Sequence, residues 1–96
     1  MNIPAFETFK SEQHAIGCDE VIERRWESGV TVDTHSHPFS VRALVVKGDM
    51  WLTIGNDTRH LRPGDRFEVD ADVPHAERYG DAGATFWVAR TARRKI

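Results

Sequence analysis

Histidines are the residues of this chain whose type and spacing could do chemistry. Five are present, and His35 and His37 lie two positions apart in a segment that reads as a β-strand. Alternate residues of a strand point to the same side of a sheet, so we expect both imidazoles on one face. His75 follows Pro74 at the start of a later strand-like segment, and in a closed β architecture it could face the first two across the interior. Neutral imidazole nitrogens suit Fe, Zn, Ni or Cu better than Ca or Mg.

The same histidines also have a purely structural interpretation. The first pair flanks the turn at Pro38 and the third follows another turn, so all three could be ordinary polar residues beside loops. We expect the remaining two, His14 and His60, at the surface, because one lies in the N-terminal segment and the other in a polar hairpin strand.

Turn-forming residues divide most of the chain into short segments. They recur at nearly regular intervals from Gly29 to Gly83, and no apolar pattern of helical period extends over about ten residues. Regular turns between short alternating segments predict an all-β sandwich or barrel. The predicted strands cover residues 20–27, 30–37, 42–47, 49–54, 58–61, 66–69, 75–79 and 85–90.

Length and charge narrow the classes of protein to consider. Ninety-six residues make one domain, and a content of 40% hydrophobic and 29% charged residues is that of an ordinary globular chain. Thirteen basic against fifteen acidic residues argue against a nucleic-acid partner. The apolar runs are too short for a membrane-spanning helix. The single cysteine, Cys18, has no partner for an internal disulfide and is interpreted as a packing residue, so we expect a cytoplasmic protein.

The expected organisation has three parts. Residues 1–18 form a loose N-terminal arm, residues 19–91 the β-barrel, and residues 92–96 a basic tail with solvated charges.

Two motifs around the histidines resemble those of the cupin superfamily. The first has Gly29, five residues, the sequence His35, Ser36 and His37, and then Gly48 at the distance that the family motif requires. The second has Pro63, Gly64 and Asp65, followed by a proline-containing turn and His75. The resemblance covers about residues 20 to 90, and the two motifs agree with the family in order and spacing.

The resemblance implies a fold and a metal site. The fold is a small antiparallel β-barrel of the jelly-roll type, and the metal ligands are His35, His37 and His75. The cofactor is a divalent transition metal, with Fe, Zn, Ni, Cu and Mn as candidates.

The chain departs from the family pattern at one ligand position. The metal-binding glutamate of the first motif falls on Val41, which cannot bind a cation. The second motif has Asp70 and Asp72 where proline and glycine are usual, and Tyr79 where asparagine is usual. The site therefore either uses three histidines or has lost its metal.

Glu77 is the candidate for the missing carboxylate. If its strand continues without a bulge, it shares the face of His75 and could be a replacement ligand or a general base. Alternatively, it pairs with Arg78 or Arg24 at the barrel mouth.

Two functions follow from this site. The first is a metal-dependent small-molecule enzyme, such as a dioxygenase or isomerase, with Glu77 as the acid or base and Phe39, Arg42 and Tyr79 in the substrate pocket. The second is a metal-free binding or sensor module that holds a small ligand in the barrel without catalysis.

Strand parity also suggests a partner surface. Trp51 lies opposite the face of Met50 and Leu52, and Trp87 lies opposite the face of Phe86. If both tryptophans point outward, a homodimer is the simplest symmetric way to cover them.

Overall fold

A six-stranded antiparallel sheet makes up most of the chain. The structure is a computed structural model that describes residues 3–92. Its elements are the helix α1 (Phe6–Ala15) and the strands β1 (Glu20–Trp26), β2 (Thr31–His35), β3 (Ser40–Ile54), β4 (Asp57–Leu61), β5 (Arg66–Val69) and β6 (His75–Thr91). The prediction of an all-β antiparallel fold is confirmed.

The two long strands, β3 and β6, organise the sheet. They pair with each other, β6 also pairs with β1 and β2, and β3 also pairs with β4 and β5. Each long strand therefore pairs with the other long strand along one edge and with two short strands in succession along its other edge. The pairing of β3 with β6 shifts register between Val45 and Lys47 and again between Gly48 and Met50, and such irregularities bend a strand.

Two predicted turns are wrong, because the chain continues through them as strand. The glycine at position 48 lies within β3, and residues 80–83 lie within β6. Gly48 has φ of 70°, and a Cβ there would collide with the backbone carbonyl of Gly83. These glycines allow the two long strands to approach closely where they bend.

The interior is an apolar cluster with contributions from several strands. Met50 and Leu52 of β3 point inward, as their alternation predicts, together with Phe86 and Val88 of β6. Other buried members are Val41, Ala43, Val45, Leu61, Phe67, Val69, Tyr79 and Ala84.

The loose N-terminal arm expected over residues 1–18 is wrong in one respect, because its middle is the helix α1. Phe9 is 1% exposed and packs against the outer face of the sheet. The helix ends in a Schellman motif: the N–H of Cys18 donates to the carbonyl of Gln13, the N–H of Gly17 donates to that of His14, and Gly17 has φ of 100°. Cys18 is buried, as predicted.

The helix changes the interpretation of the outward tryptophans. Trp87 does lie opposite the inward Phe86, but Phe6 and Phe9 of α1 cover it, at ring-centroid distances of 5.2 and 5.8 Å. Trp51 remains half-buried on the outside, stacked against His60 at 4.2 Å and with the Arg78 guanidinium 4.0 Å from its ring centroid. The chain's own side chains therefore cover much of the surface that suggested a dimer.

Residues 93–96 of the predicted basic tail lie outside the described residues. Within residues 3–92, α1 is too short and too polar to span a bilayer.

Candidate metal centre

Strand pairing brings the three histidines together. His35 is the last residue of β2, and in the antiparallel register it lies opposite His75, the first residue of β6. The predicted strand that continued to His37 is too long by two residues, yet the His37 ring still turns toward the other two. The ring centroids are 4.4 Å apart for His35 and His75, 4.9 Å for His37 and His75, and 5.8 Å for His35 and His37.

A second loop anchors the segment that carries His37. The backbone N–H of Asp72 donates to the carbonyl of His37 at 2.8 Å, and the N–H of Ala71 donates to the Ser40 hydroxyl at 3.0 Å. Asp72 adopts φ of 67°, a conformation in which aspartate is among the tolerated non-glycine residues. The aspartate at the usual glycine position therefore preserves the turn that leads into His75.

Each histidine ring is oriented by a backbone hydrogen bond through the same nitrogen. His35 and His75 use Nδ1 to contact the carbonyl two residues earlier, at 2.8 and 2.9 Å, and His37 uses Nδ1 to contact the carbonyl two residues later, at 3.2 Å. A carbonyl only accepts, so Nδ1 carries the proton in all three rings. The lone pair of each neutral imidazole is therefore on Nε2, as a metal ligand with an oriented second nitrogen requires.

The cluster is partly withdrawn from water. His75 is 3% exposed, whereas His35 and His37 are half-buried. Burial lowers the pKa of His37, and the neighbouring His75, His35 and Arg90 lower it further, against the hydrogen bond to the Phe39 carbonyl. One ring nitrogen from each histidine lies within 4.8 Å of the other two, so the three could hold one metal ion.

Glu77, also on β6, lies next to two of the three histidines. Its Oε2 lies 3.5 Å from Nε2 of His75 and 3.7 Å from Nε2 of His35. Its other oxygen accepts a hydrogen bond from the Tyr79 hydroxyl. Burial first, and then Glu77 itself, raise the pKa of Tyr79, which therefore stays protonated and holds the carboxylate as a donor. Tyr79 is itself fixed by stacking on Trp26, with ring centroids 5.1 Å apart.

A cavity of about 190 Å³ opens beside the histidines. Phe39 belongs to its wall and stacks on His37, with ring centroids 4.3 Å apart and nearly parallel planes. The polar lining consists of Arg24, His35, His37, His75, Glu77 and Arg90. The apolar lining consists of Trp26, Val32, Phe39, Val41, Phe67, Val69, Phe86 and Val88.

Solved structures share this arrangement of strands. KdgF from a Halomonas species has a TM-score of 0.69 at 20% identity, covering 77% of this chain and 69% of that one. A cupin protein from Bacteroides fragilis has a TM-score of 0.68 at 19% identity, covering 85% and 72%. The chain has the cupin fold. The DMSP lyase DddQ from Ruegeria pomeroyi, with a TM-score of 0.66 at 23% identity, matches 79% of this cupin-fold chain, which spans only 38% of the lyase. No protein-family model and no curated protein matches the sequence.

The carboxylate next to the histidines comes from Glu77 and not from the position of Val41. Val41 is buried in the cavity wall, so the position of the usual cupin glutamate supplies a methyl surface here. Glu77 brings a carboxylate to the histidines from a different strand. Two ion pairs were considered for Glu77. The pair with Arg78 is wrong, because the Arg78 guanidinium lies over Trp51 on the outside of the barrel. Arg24 lies in the cavity lining but makes no salt bridge to Glu77 within 4.0 Å.

The structure corrects two of the three predicted pocket residues. Arg42 is adjacent to inward-facing Val41 and therefore points outward, where it binds Glu68 at 3.0 Å and Gln13 of α1 at 3.2 Å. Tyr79 is 1% exposed and lies in the core behind Glu77, so it supports the site without lining the cavity.

Sequence reasoning named Arg24 only as a possible partner of Glu77, and it missed Arg90 as a residue of the cavity lining. Arg24 lies between Ile22 and Trp26 on β1, and both of these pack against the inner core. The side-chain period of a strand places Arg24 on the same face, so alternation along β1 could have identified it. His60, expected at the surface, is half-buried and contacts Asp49 at 2.6 Å, away from the cavity. His14 is exposed, as predicted.

Proposed function

We propose that this protein binds one divalent transition-metal ion through His35, His37 and His75, and that it binds or acts on a small molecule in the adjacent cavity. The observation that carries the proposal is the common orientation of the three rings, each with Nδ1 engaged by a backbone carbonyl. That orientation leaves three Nε2 lone pairs for one ion. Fe, Zn, Ni, Cu and Mn are the candidates, because imidazole donors suit transition metals.

Glu77 acts in this proposal as the fourth donor or as the acid or base. Its Oε2 is close to two of the histidines, and its Oε1 is held by Tyr79. A carboxylate also offsets part of the charge of a divalent ion that three neutral imidazoles would leave uncompensated. When bound, the ion would act as a Lewis acid that polarises an oxygen of the bound molecule. Glu77 would then hold or accept a proton at Oε2, next to that molecule.

The cavity limits the size of the bound molecule. Its volume is about 190 Å³, and a cavity of about 150 Å³ in another protein accommodates benzene. We therefore propose a ligand somewhat larger than benzene, bound between the histidines and the apolar wall formed by Phe39 and Val41. Lyase activity is named for one protein of similar fold, DddQ, and supports an enzymatic role for the same cavity here.

Metal analysis tests the metal site directly. We expect the purified protein to hold about one ion per chain, and the His35→Ala, His37→Ala double variant to hold almost none. His14→Ala is the matched control, because it removes an exposed histidine outside the cluster and leaves the metal content unchanged. Circular dichroism of the double variant verifies that it folds. A parent protein that stays metal-free after exposure to each candidate ion would contradict the proposal and favour a metal-free binding module.

We also propose a cytoplasmic location. The sequence has a single cysteine, Cys18, which is buried and forms no disulfide within the chain, and such cysteine usage is typical of reducing compartments. Fractionation of the producing cell tests this location.

A further inference from the structure

The cavity holds two arginines whose environments differ. Arg90 contacts Glu20 through Nη1 at 3.3 Å, and its guanidinium lies over the Phe39 ring at 4.7 Å. Arg24, on the inner face of β1, has no carboxylate within 4.0 Å among residues 3–92. The Nη1 of Arg90 is thus paired with a carboxylate, although its Nε is buried without a hydrogen-bond partner. The charge of Arg24 lies at the cavity with no acidic partner among the described residues.

The position of Arg24 is fixed by its neighbours. It lies between the inward-facing Ile22 and Trp26, and its guanidinium lies 5.2 Å from the centroid of the Trp26 ring. An arginine is rarely placed on the inner face of a small barrel unless it has a partner there, because burying its charge is unfavourable. The neighbouring Arg25 shows the ordinary alternative, since its side chain is 77% exposed and contacts Glu23 at 3.2 Å.

The rest of the cavity lining defines the other properties of a partner for Arg24. Its one carboxylate, Glu77, is engaged by Tyr79 and lies against two histidines, so it is not available to Arg24. Most of the remaining wall is apolar, formed by valines, phenylalanines and Trp26. A partner that fits therefore has one anionic group and an apolar body.

We propose that the ligand of this cavity is a small organic carboxylate, whose carboxylate group pairs with the Arg24 guanidinium while its apolar body packs against the wall of the barrel. The inference rests on the proposed function to the extent that the cavity binds a small molecule. A guanidinium presents paired N–H donors that match the two oxygens of a carboxylate. A free inorganic phosphate would leave the apolar wall without a partner.

Benzoate and benzamide test the proposal, because they have nearly the same size and shape and differ in charge. Each is titrated into the purified protein at constant ionic strength, and binding is followed by calorimetry and by the NMR signal of the Trp26 indole N–H. We expect benzoate to bind at least about tenfold more tightly than benzamide. Acetate with acetamide serves as a smaller pair, and inorganic phosphate serves as the anion without an apolar body.

Two arginine variants of β1 separate the cavity from the general charge of the protein. We expect Arg24→Gln to weaken benzoate binding about tenfold or more and to leave benzamide binding nearly unchanged. Arg25→Gln removes the same charge from the outer face of the same strand and should bind benzoate like the parent. Equal losses in both variants, unchanged benzoate binding in Arg24→Gln, no binding of either carboxylate, or Arg24-dependent binding of phosphate alone would each overturn the proposal.

Metal content, measured on the same samples, distinguishes failure of this inference from failure of the metal site. Arg24-dependent preference for benzoate in a protein that binds no metal supports the carboxylate subsite and contradicts only the metal proposal. A protein that holds its metal but binds benzoate and benzamide equally contradicts only the carboxylate subsite. In Arg24→Gln itself we expect the parent's metal content, because Arg24 is not among the residues that could ligate the ion.

Discussion

Three backbone hydrogen bonds decide what the histidine cluster can do. A histidine whose Nδ1 donates to a carbonyl has a fixed tautomer and a fixed ring orientation, and it needs no carboxylate to set them. His35, His37 and His75 all have this arrangement, each with a carbonyl two positions away in the chain. The local backbone thus orients the ligands, and Glu77 is left available for another role.

The link between Tyr79 and Glu77 can be measured as a coupling energy. The Tyr79 hydroxyl is buried and donates to a carboxylate, and hydrogen bonds to charged groups contribute about 1.5–3 kcal/mol. We expect Tyr79→Phe and Glu77→Gln each to lower the free energy of unfolding, and the double variant to lower it by less than the sum. The measurement is urea unfolding of all four proteins in the presence of a chelator.

Additivity in that cycle would contradict the hydrogen bond as a stabilising contact. Trp26→Phe is a useful companion variant, because it preserves an aromatic ring against Tyr79 and leaves the hydroxyl and the carboxylate in place. We expect it to retain the coupling between Tyr79 and Glu77.

The sequence was sufficient to predict that the three histidines converge, but not to predict all of the residues around them. Their convergence follows from one strand, one turn and a barrel, all of which have clear signals in the chain. The placement of Arg42 in the pocket was wrong because neighbouring residues of a strand point to opposite faces. Val41 faces the cavity, so Arg42 faces the outer surface. The prediction for Tyr79 was wrong in a subtler way, because a side chain can face inward and still be covered by its neighbour Glu77.

At the scale of the elements, α1 had little sequence signal because few residues hold it. Only Phe9 and Gln13 of its ten residues are buried, and Ala5 at its start provides no side-chain cap. A helix that contacts the sheet through Phe9 and the half-buried Phe6 lacks the longer apolar stripe by which such helices are recognised. The glycine that ends it, Gly17, was the remaining signal.

Phe9 should therefore carry most of the stabilisation provided by α1. Removing a fully buried phenylalanine side chain costs about 3–5 kcal/mol, so we expect Phe9→Ala to lower the free energy of unfolding by about 3 kcal/mol or more. It should also uncover part of Trp87, which Phe6 still contacts, and shift the fluorescence of Trp87 to longer wavelength. Ile16→Ala is the control, because Ile16 is 45% exposed and its loss should change stability by less than about 0.5 kcal/mol. Similar effects of both substitutions would show that α1 does not depend on Phe9.

The bends of the long strands need glycine because β3 and β6 come into close contact there. A glycine followed by aspartate at positions 48 and 49 is equally typical of a turn and of a bend within a strand, which is why the sequence indicated two strands where β3 is continuous. The deciding fact is the contact between β3 and β6 at Gly48 and Gly83, residues that are far apart in sequence.

Two glycines with similar φ separate backbone strain from steric contact. Gly48 and Gly55 have φ of 70° and 62°, but a Cβ at Gly55 would meet no atom within 4 Å. We expect Gly55→Ala to cost about 1–2 kcal/mol, the usual penalty of this conformation. Gly48→Ala should cost clearly more, because the β6 backbone at Gly83 must also move. Chemical denaturation of both variants gives the comparison, and equal losses would mean that the strands separate easily at the bend.

At the scale of the whole molecule, the homodimer stays a prediction, and it now rests on a smaller apolar surface. Trp87 is covered by α1, so the outward apolar surface that motivated a dimer reduces to Trp51. If Trp51 lies in an interface, sedimentation equilibrium of the parent should show a dimer and that of Trp51→Gln a monomer. A parent that sediments as a monomer at micromolar concentration would contradict the prediction.

Metal binding should be visible in the stability of the whole domain. Its ligands come from β6, from the end of β2 and from the loop after it, so an ion that needs all three binds only the folded chain. At an ion concentration of about 100 times Kd, such binding adds about 2.7 kcal/mol to the free energy of unfolding. For a domain of this size each kcal/mol shifts Tm by about 4–8 °C.

We therefore expect a chelator to lower Tm by about 10 °C or more in the parent and in His14→Ala, and to leave the Tm of the His35→Ala, His37→Ala variant unchanged. A chelator effect of the same size in the double variant would place the ion elsewhere in the molecule. Because the two loops joined by the hydrogen bond between Asp72 and His37 also position the ligands, the ion would add a further connection between these loops.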